Sequence, residues 1–111
     1  MKSCRLHRAD EFSSVIRFRC SVSGKFLQVF ASPNELAHSR LGMVIPGRIE
    51  RLAVSRNRVK RLLRETFRAR QSELAGLDLV VRLRCKVLRQ DTQQLVEEAE
   101  MLMLRVQRCR G

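Results

Sequence analysis

The sequence predicts an α+β sandwich, helices packed on a mostly antiparallel sheet, and three observations carry that reading. The run Ala53 to Glu73 has helical period, with Val59, Leu62, Leu63, Thr66 and Phe67 gathered on one face. A second run has a period of two: Leu79, Val81, Leu83, Cys85 and Val87 alternate with Asp78, Val80, Arg82, Arg84 and Lys86. The remaining segments complete an order of helix, two or three strands, helix, strand, helix within 111 residues, the size of one domain. No repeat, low-complexity tract or linker interrupts it, so residues 1–111 read as a single domain.

Each element has a local cause. Ala9 to Arg19 forms the first helix, with Asp10 as a cap and Phe12, Val15 and Ile16 at helical spacing. After Ser23-Gly24, the stretch Lys25 to Ala31 is rich in Phe, Leu and Val and reads as a strand stopped by Ser32-Pro33-Asn34. A short strand near Cys20 to Val22 is weakly signalled. Another strand runs from about Arg40 to Ile45 and halts at Pro46-Gly47. Ser55 or a neighbour caps the long helix, and Gly76 ends its region. The period-two run is then a half-buried strand with a basic rim. Asp91 or Thr92 opens the last helix, whose apolar face is Leu95, Val96, Ala99, Leu102, Met103 and Val106.

Charge narrows the function. Lys and Arg number 23 against 11 Asp and Glu, a formal net charge of +12, while 44% of residues are hydrophobic. The chain can therefore fold, but its surplus charge calls for a polyanionic partner, nucleic acid before anionic membrane. Arginine greatly outnumbers lysine, and arginine forks phosphate oxygens and stacks on bases. Met1 to Asp10 alternates charged and apolar residues, unlike a signal peptide. Leu77 to Leu83, the most apolar run, is too short to span a bilayer and contains Asp78 and Arg82. These features predict a cytoplasmic protein without a membrane partner. Cys4, Cys20, Cys85 and Cys109 are scattered, form no CxxC pair and have only His7 and His38 for company. Reduced thiols, some of them buried, are expected, and no metal site.

The charge is concentrated. Between Arg48 and Arg70 stand nine basic residues and two acids, Glu50 and Glu65, which is +7 of the total +12. At about 100° per residue, Asn57, Arg61, Arg64 and Arg68 line the face opposite Val59 and Leu63, flanked by Arg58 and Lys60. Arg56 lies at the helix start, where free N–H groups and the macrodipole favour a phosphate. One face is held by the core while the other presents forked donors at rigid spacing, as a phosphate-backbone site requires. The competing readings are a solvated face balanced by ion pairs through Glu65, and a membrane- or calmodulin-binding helix. The first has a single acid to work with. The second usually displays bulky aromatics on its apolar face, where this helix offers Leu, Val and one Phe, better suited to a protein core.

The run Arg56-Asn57-Arg58-Val59-Lys60-Arg61-Leu62-Leu63-Arg64-Glu65-Thr66-Phe67-Arg68 resembles the signature helix of the bacterial ribonuclease P protein family. The resemblance extends to Arg40-Leu41-Gly42-Met43-Val44-Ile45 before it, Leu77-Asp78-Leu79-Val80-Val81 after it, and Arg5-Leu6 with Phe12, Val15 and Ile16 at the start. It implies a ribosomal protein S5 domain 2-like fold. It further implies a subunit that joins a catalytic RNA to remove the 5′ leader of precursor tRNA, with RNA and not DNA as partner. In that family the RNA and its Mg²⁺ ions perform the hydrolysis, so no catalytic residue is expected in this chain. By the same resemblance, Arg56, Asn57, Arg58, Lys60, Arg61, Arg64 and Arg68, with Arg48 and Arg84, would face RNA. Phe12 would line the leader cleft, with Ile16 where the family commonly has a second aromatic. The family also favours two lysines where this chain has Gly47-Arg48. Phe12 reads equally as packing or stacking, whereas Phe18, Phe26, Phe30 and Phe67 read as core.

An independent nuclease is a poor alternative. General acid–base cleavage needs converging His, Lys or carboxylate groups, and a two-metal site needs clustered carboxylates. Neither pattern appears, and Asp78 reads as structural. A structural RNA-binding protein of ribosomal type is the stronger alternative, since composition and fold alone do not separate the two.

Overall fold

A computed structural model describes residues 4–110, so the first three residues of the Met1 to Asp10 stretch lie outside the described residues. The elements are α1 (Ala9–Arg17), β1 (Ser21–Ser23), β2 (Leu27–Pro33), β3 (Arg40–Val44), α2 (Ala53–Ala69), β4 (Leu77–Leu83) and α3 (Thr92–Arg105). Single 3-10 turns precede and follow α3, at Arg89–Asp91 and Val106–Arg110. The four strands lie in the order β1-β2-β4-β3, with β1–β2 and β2–β4 antiparallel and β3–β4 parallel. The sheet is thus mixed and mostly antiparallel, as the α+β reading expects.

The period of two in β4 places helices on both faces of the sheet. Leu77, Leu79, Val81 and Leu83 enter the larger core with Val59, Leu63 and Phe67 of α2 and Leu95, Ala99, Leu102 and Met103 of α3. Each such buried side chain contributes about 1.5–3 kcal/mol, so α2 is firmly anchored by its inner face. Val80 points the other way, into a smaller cluster with Leu6, Val15 and Phe30, against which Phe12 and Val44 pack. β4 is therefore not half-buried as expected. Only Arg82 within it is exposed, because α1 covers the second face.

Boundaries moved where side chains intercepted the backbone. The strand expected from Lys25 begins at Leu27, because the Glu98 carboxylate of α3 accepts the N–H groups of Lys25, Phe26 and Leu27, each at 2.8 Å. α1 is not capped by Asp10. Its Glu11 accepts the N–H groups of His7 and Arg8, each at 2.9 Å, and these bonds, with the charge of Arg40, lower the Glu11 pKa. Ser55 lies inside α2, whose N-cap is Leu52 with no side-chain hydrogen bond. α2 stops at Ala69 and not Glu73, since Arg70 turns to bind Glu73 and Glu100. β4 ends at Leu83, after which Arg84 N–H donates to the Phe26 carbonyl and the chain departs. Phe18, expected in the core, is 51% exposed.

Two of the four cysteines are not free thiols. The Val106–Arg110 turn returns beside β1, where Arg108 donates to the Ser21 carbonyl, and Cys109 forms a disulfide with Cys20, 89 residues away in sequence. Cys4 and Cys85 are free.

Candidate nucleic-acid interface

The outer face of α2 is open. Asn57, Arg61 and Arg68 are exposed and Arg64 and Lys60 half-buried, while Val59, Leu63, Thr66 and Phe67 are buried. Glu65 is exposed, yet among the described residues no salt bridge joins it to any arginine of the helix. The other acid of the stretch, Glu50, is only 1% exposed and so does not neutralise the surface. The balanced-face reading therefore fails. From Arg61 to Arg68 the rise along the axis is about 10 Å, a rigid ruler of cationic groups.

This face turns the edge of the sheet into a cleft of about 470 Å³. Lys60, Arg64 and Arg68 of α2, Arg5 and His7 of the N-terminal segment, Phe12 of α1, and Gly42 and Met43 of β3 are among the residues that line it. The Nε atom of Arg64 is buried there without a hydrogen-bond partner among the described residues. A wall rich in guanidinium groups beside a half-buried aromatic edge suits a flexible polyanion with bases, because charge grips phosphate while an apolar surface accepts a base.

Not every arginine named from the sequence is equally available. Arg56 is half-buried and folds back, one Nη1 donating to the carbonyls of Glu50 at 3.0 Å and Arg51 at 2.8 Å. Arg58 braces α2 against the start of α3, donating to Thr92 Oγ1 at 2.9 Å and the Val87 carbonyl at 3.1 Å. Arg84 donates to the Gly24 carbonyl in the β1–β2 turn. Each keeps further N–H donors, but its orientation is set from within. Arg48 is exposed on the turn after β3, and beside it a side chain at Gly47 would meet open space. Ile16 is 39% exposed one turn beyond Phe12 and does not line the cleft.

Two cationic residues were missed. Arg82 is exposed on the α1 side of the sheet, in register between Gln28 and Val44, and the strand's alternation marks it as outward-facing along with Arg84. Arg5 bridges to Leu41 and reaches the cleft, and no local signal marks it.

The donor set is wrong for holding a metal directly. The cleft offers ammonium and guanidinium groups, which repel a divalent cation, and no group of three or more His, Cys, Asp or Glu comes together among the described residues. Likewise, no helix is long and apolar enough to cross a membrane among those residues.

Comparison with known proteins decides what this cationic cleft belongs to. Residues 1–107 match the family model described as Ribonuclease P. The chain belongs to the bacterial ribonuclease P protein family. It is 42% identical over 107 residues to the ribonuclease P protein component of Chromobacterium violaceum, covering 96% of this chain and 88% of that one. The corresponding protein of Nitrosomonas europaea is 41% identical over 101 residues, covering 91% and 85%. Among solved structures, the RNase P protein of Staphylococcus aureus superposes with a TM-score of 0.81 at 26% identity, covering 99% of this chain and 100% of that one. That of Thermotoga maritima gives 0.72 at 25% identity, covering 96% and 98%. The chain is thus the RNA-binding protein subunit of an endoribonuclease holoenzyme that processes tRNA, with a ribonuclease P RNA as partner. The ribosomal-type alternative falls with this membership.

Proposed function

We propose that the outer face of α2 grips the catalytic RNA near the leader junction while the adjoining cleft takes the 5′ leader of precursor tRNA. The observation that carries this reading is the row Arg61, Arg64 and Arg68, without ion pairs among the described residues, on a helix whose other face is locked in the core. Asn57 and Lys60 extend that grip, and Arg56, Arg58, Arg48 and Arg84 contribute their remaining donors. Phe12 presents its ring edge to a leader base, with Ile16 an apolar neighbour outside the cleft. The Mg²⁺ that supplies the hydrolytic chemistry would be held by RNA phosphates, since no carboxylate among the described residues lines the cleft. The protein's work is binding and orienting, performed as a single domain in the cytoplasm.

Reconstitution tests this reading. Pure protein should restore precursor-tRNA cleavage by a bacterial ribonuclease P RNA at low salt, and RNA binding without rescue would overturn it. In the same holoenzyme, Phe12→Ala should weaken binding of leader-bearing substrate more than that of mature tRNA. Equal losses would assign Phe12 to packing alone.

A further inference from the structure

Gly42 sits in the middle of β3, a short edge strand, where glycine weakens a strand because it adds no packing and costs extra backbone entropy. Backbone conformation does not explain it, since Gly76 is the one positive-φ glycine among the described residues. Space does. A Cβ at position 42 would lie 2.6 Å from both Cε2 and Cζ of Phe12 and 3.1 Å from Leu6 Cδ1. The Phe12 ring therefore rests on the bare backbone of β3.

We propose that Gly42 is a positioning residue for leader recognition: the missing side chain seats the Phe12 ring low in the cleft and so sets the depth available to a leader base. This rests on the reading that Phe12 meets the leader. The ring packs against a filled layer, since Val80, which pairs with Gly42 across the sheet, and Val15 of the cluster it joins are both wholly buried. The ring cannot sink further. Any Cβ must push it off β3 by roughly 1 Å to regain ordinary contact, into the cleft that both residues line. A raised ring occupies the volume a base would take and spoils the stacking height relative to the phosphate-gripping row.

The test is a double-mutant cycle in the reconstituted holoenzyme, reading the ratio of affinities for leader-bearing precursor and mature tRNA. Gly42→Ala should cut that leader preference about fivefold or more, part of what one base stack is worth. In a Phe12→Leu background, where the smaller side chain leaves room, Gly42→Ala should cost nothing further. If Phe12→Leu lowers the preference and Gly42→Ala does not, the seat is refuted while the leader reading stands. If neither substitution lowers it, the leader reading itself fails and the seat with it. Should Gly42→Ala alone fail to fold, the Phe12→Leu/Gly42→Ala protein should recover a native circular dichroism spectrum. Failure to recover would show that position 42 is crowded by something other than the ring.

Discussion

Two sets of arginines divide the labour in this molecule. Arg40, on β3, is surrounded by acceptors: Nε and Nη2 fork Asp78 at 2.8 and 2.6 Å, and Nη1 reaches Glu11 of α1 at 3.1 Å. Asn34 adds a fourth bond, to Asp78 Oδ1 at 2.8 Å. Bonding to Asp78 raises the Arg40 pKa further, so this cation is permanent and satisfied. Arg61, Arg64 and Arg68 have the same side chain and no acid partner among the described residues. Paired arginine ties α1 to the sheet. Unpaired arginine, fixed by a buried helix face, leaves its donors for a ligand.

That contrast predicts separable failures. The largest concerns the whole frame. Reducing the Cys20–Cys109 bond releases an 89-residue closure, which on chain-entropy grounds stabilises by about 4.6 kcal/mol. Reductant should lower the denaturant midpoint accordingly, yet leave the salt dependence of RNA binding by folded protein unchanged. A changed salt dependence would mean that the brace also shapes the cationic face. Next, Asp78→Ala leaves Arg40 with Glu11 as its one acid partner among the described residues and should cost about 1–3 kcal/mol of stability by denaturant titration, again without altering that salt dependence. A loss below 0.5 kcal/mol would mean the Arg40 cluster is ornamental. The smallest effect is Glu11→Gln. The Glu11 pKa is held below its ordinary 4.5 in the folded state by the N–H groups of Arg8 and His7. Its contribution is therefore present above the unfolded value and lost as pH falls through the folded one. The variant should be slightly less stable at neutral pH and show a shallower acid limb below about pH 4.5, the two proteins converging at low pH. An unaltered limb would remove Glu11 from the account.

Legibility from sequence followed the range of the interactions involved. The buried face of α2 was readable at Val59, Leu63, Thr66 and Phe67 because helical period is local, and α3 yielded for the same reason. β4 was readable in its facing and not in its end, since Arg84 and Lys86 continue the alternation after the chain has left the sheet. Arg58 looks no different from Arg61 in one dimension. Its partners, Val87 and Thr92, come from the far side of β4, and proximity of that kind leaves no periodic trace. The same holds for Cys20 and Cys109, and for Gly42, whose meaning depends on a ring 30 residues earlier.

The most direct trial of the central claim is the slope of log affinity against log salt for ribonuclease P RNA binding, comparing the natural protein with the Arg61→Ala/Arg64→Ala double substitution. If those guanidinium groups meet phosphate, the slope should fall by about two contacts' worth while thermal stability stays within error. An unchanged slope, with both proteins equally folded, would contradict a phosphate-facing α2.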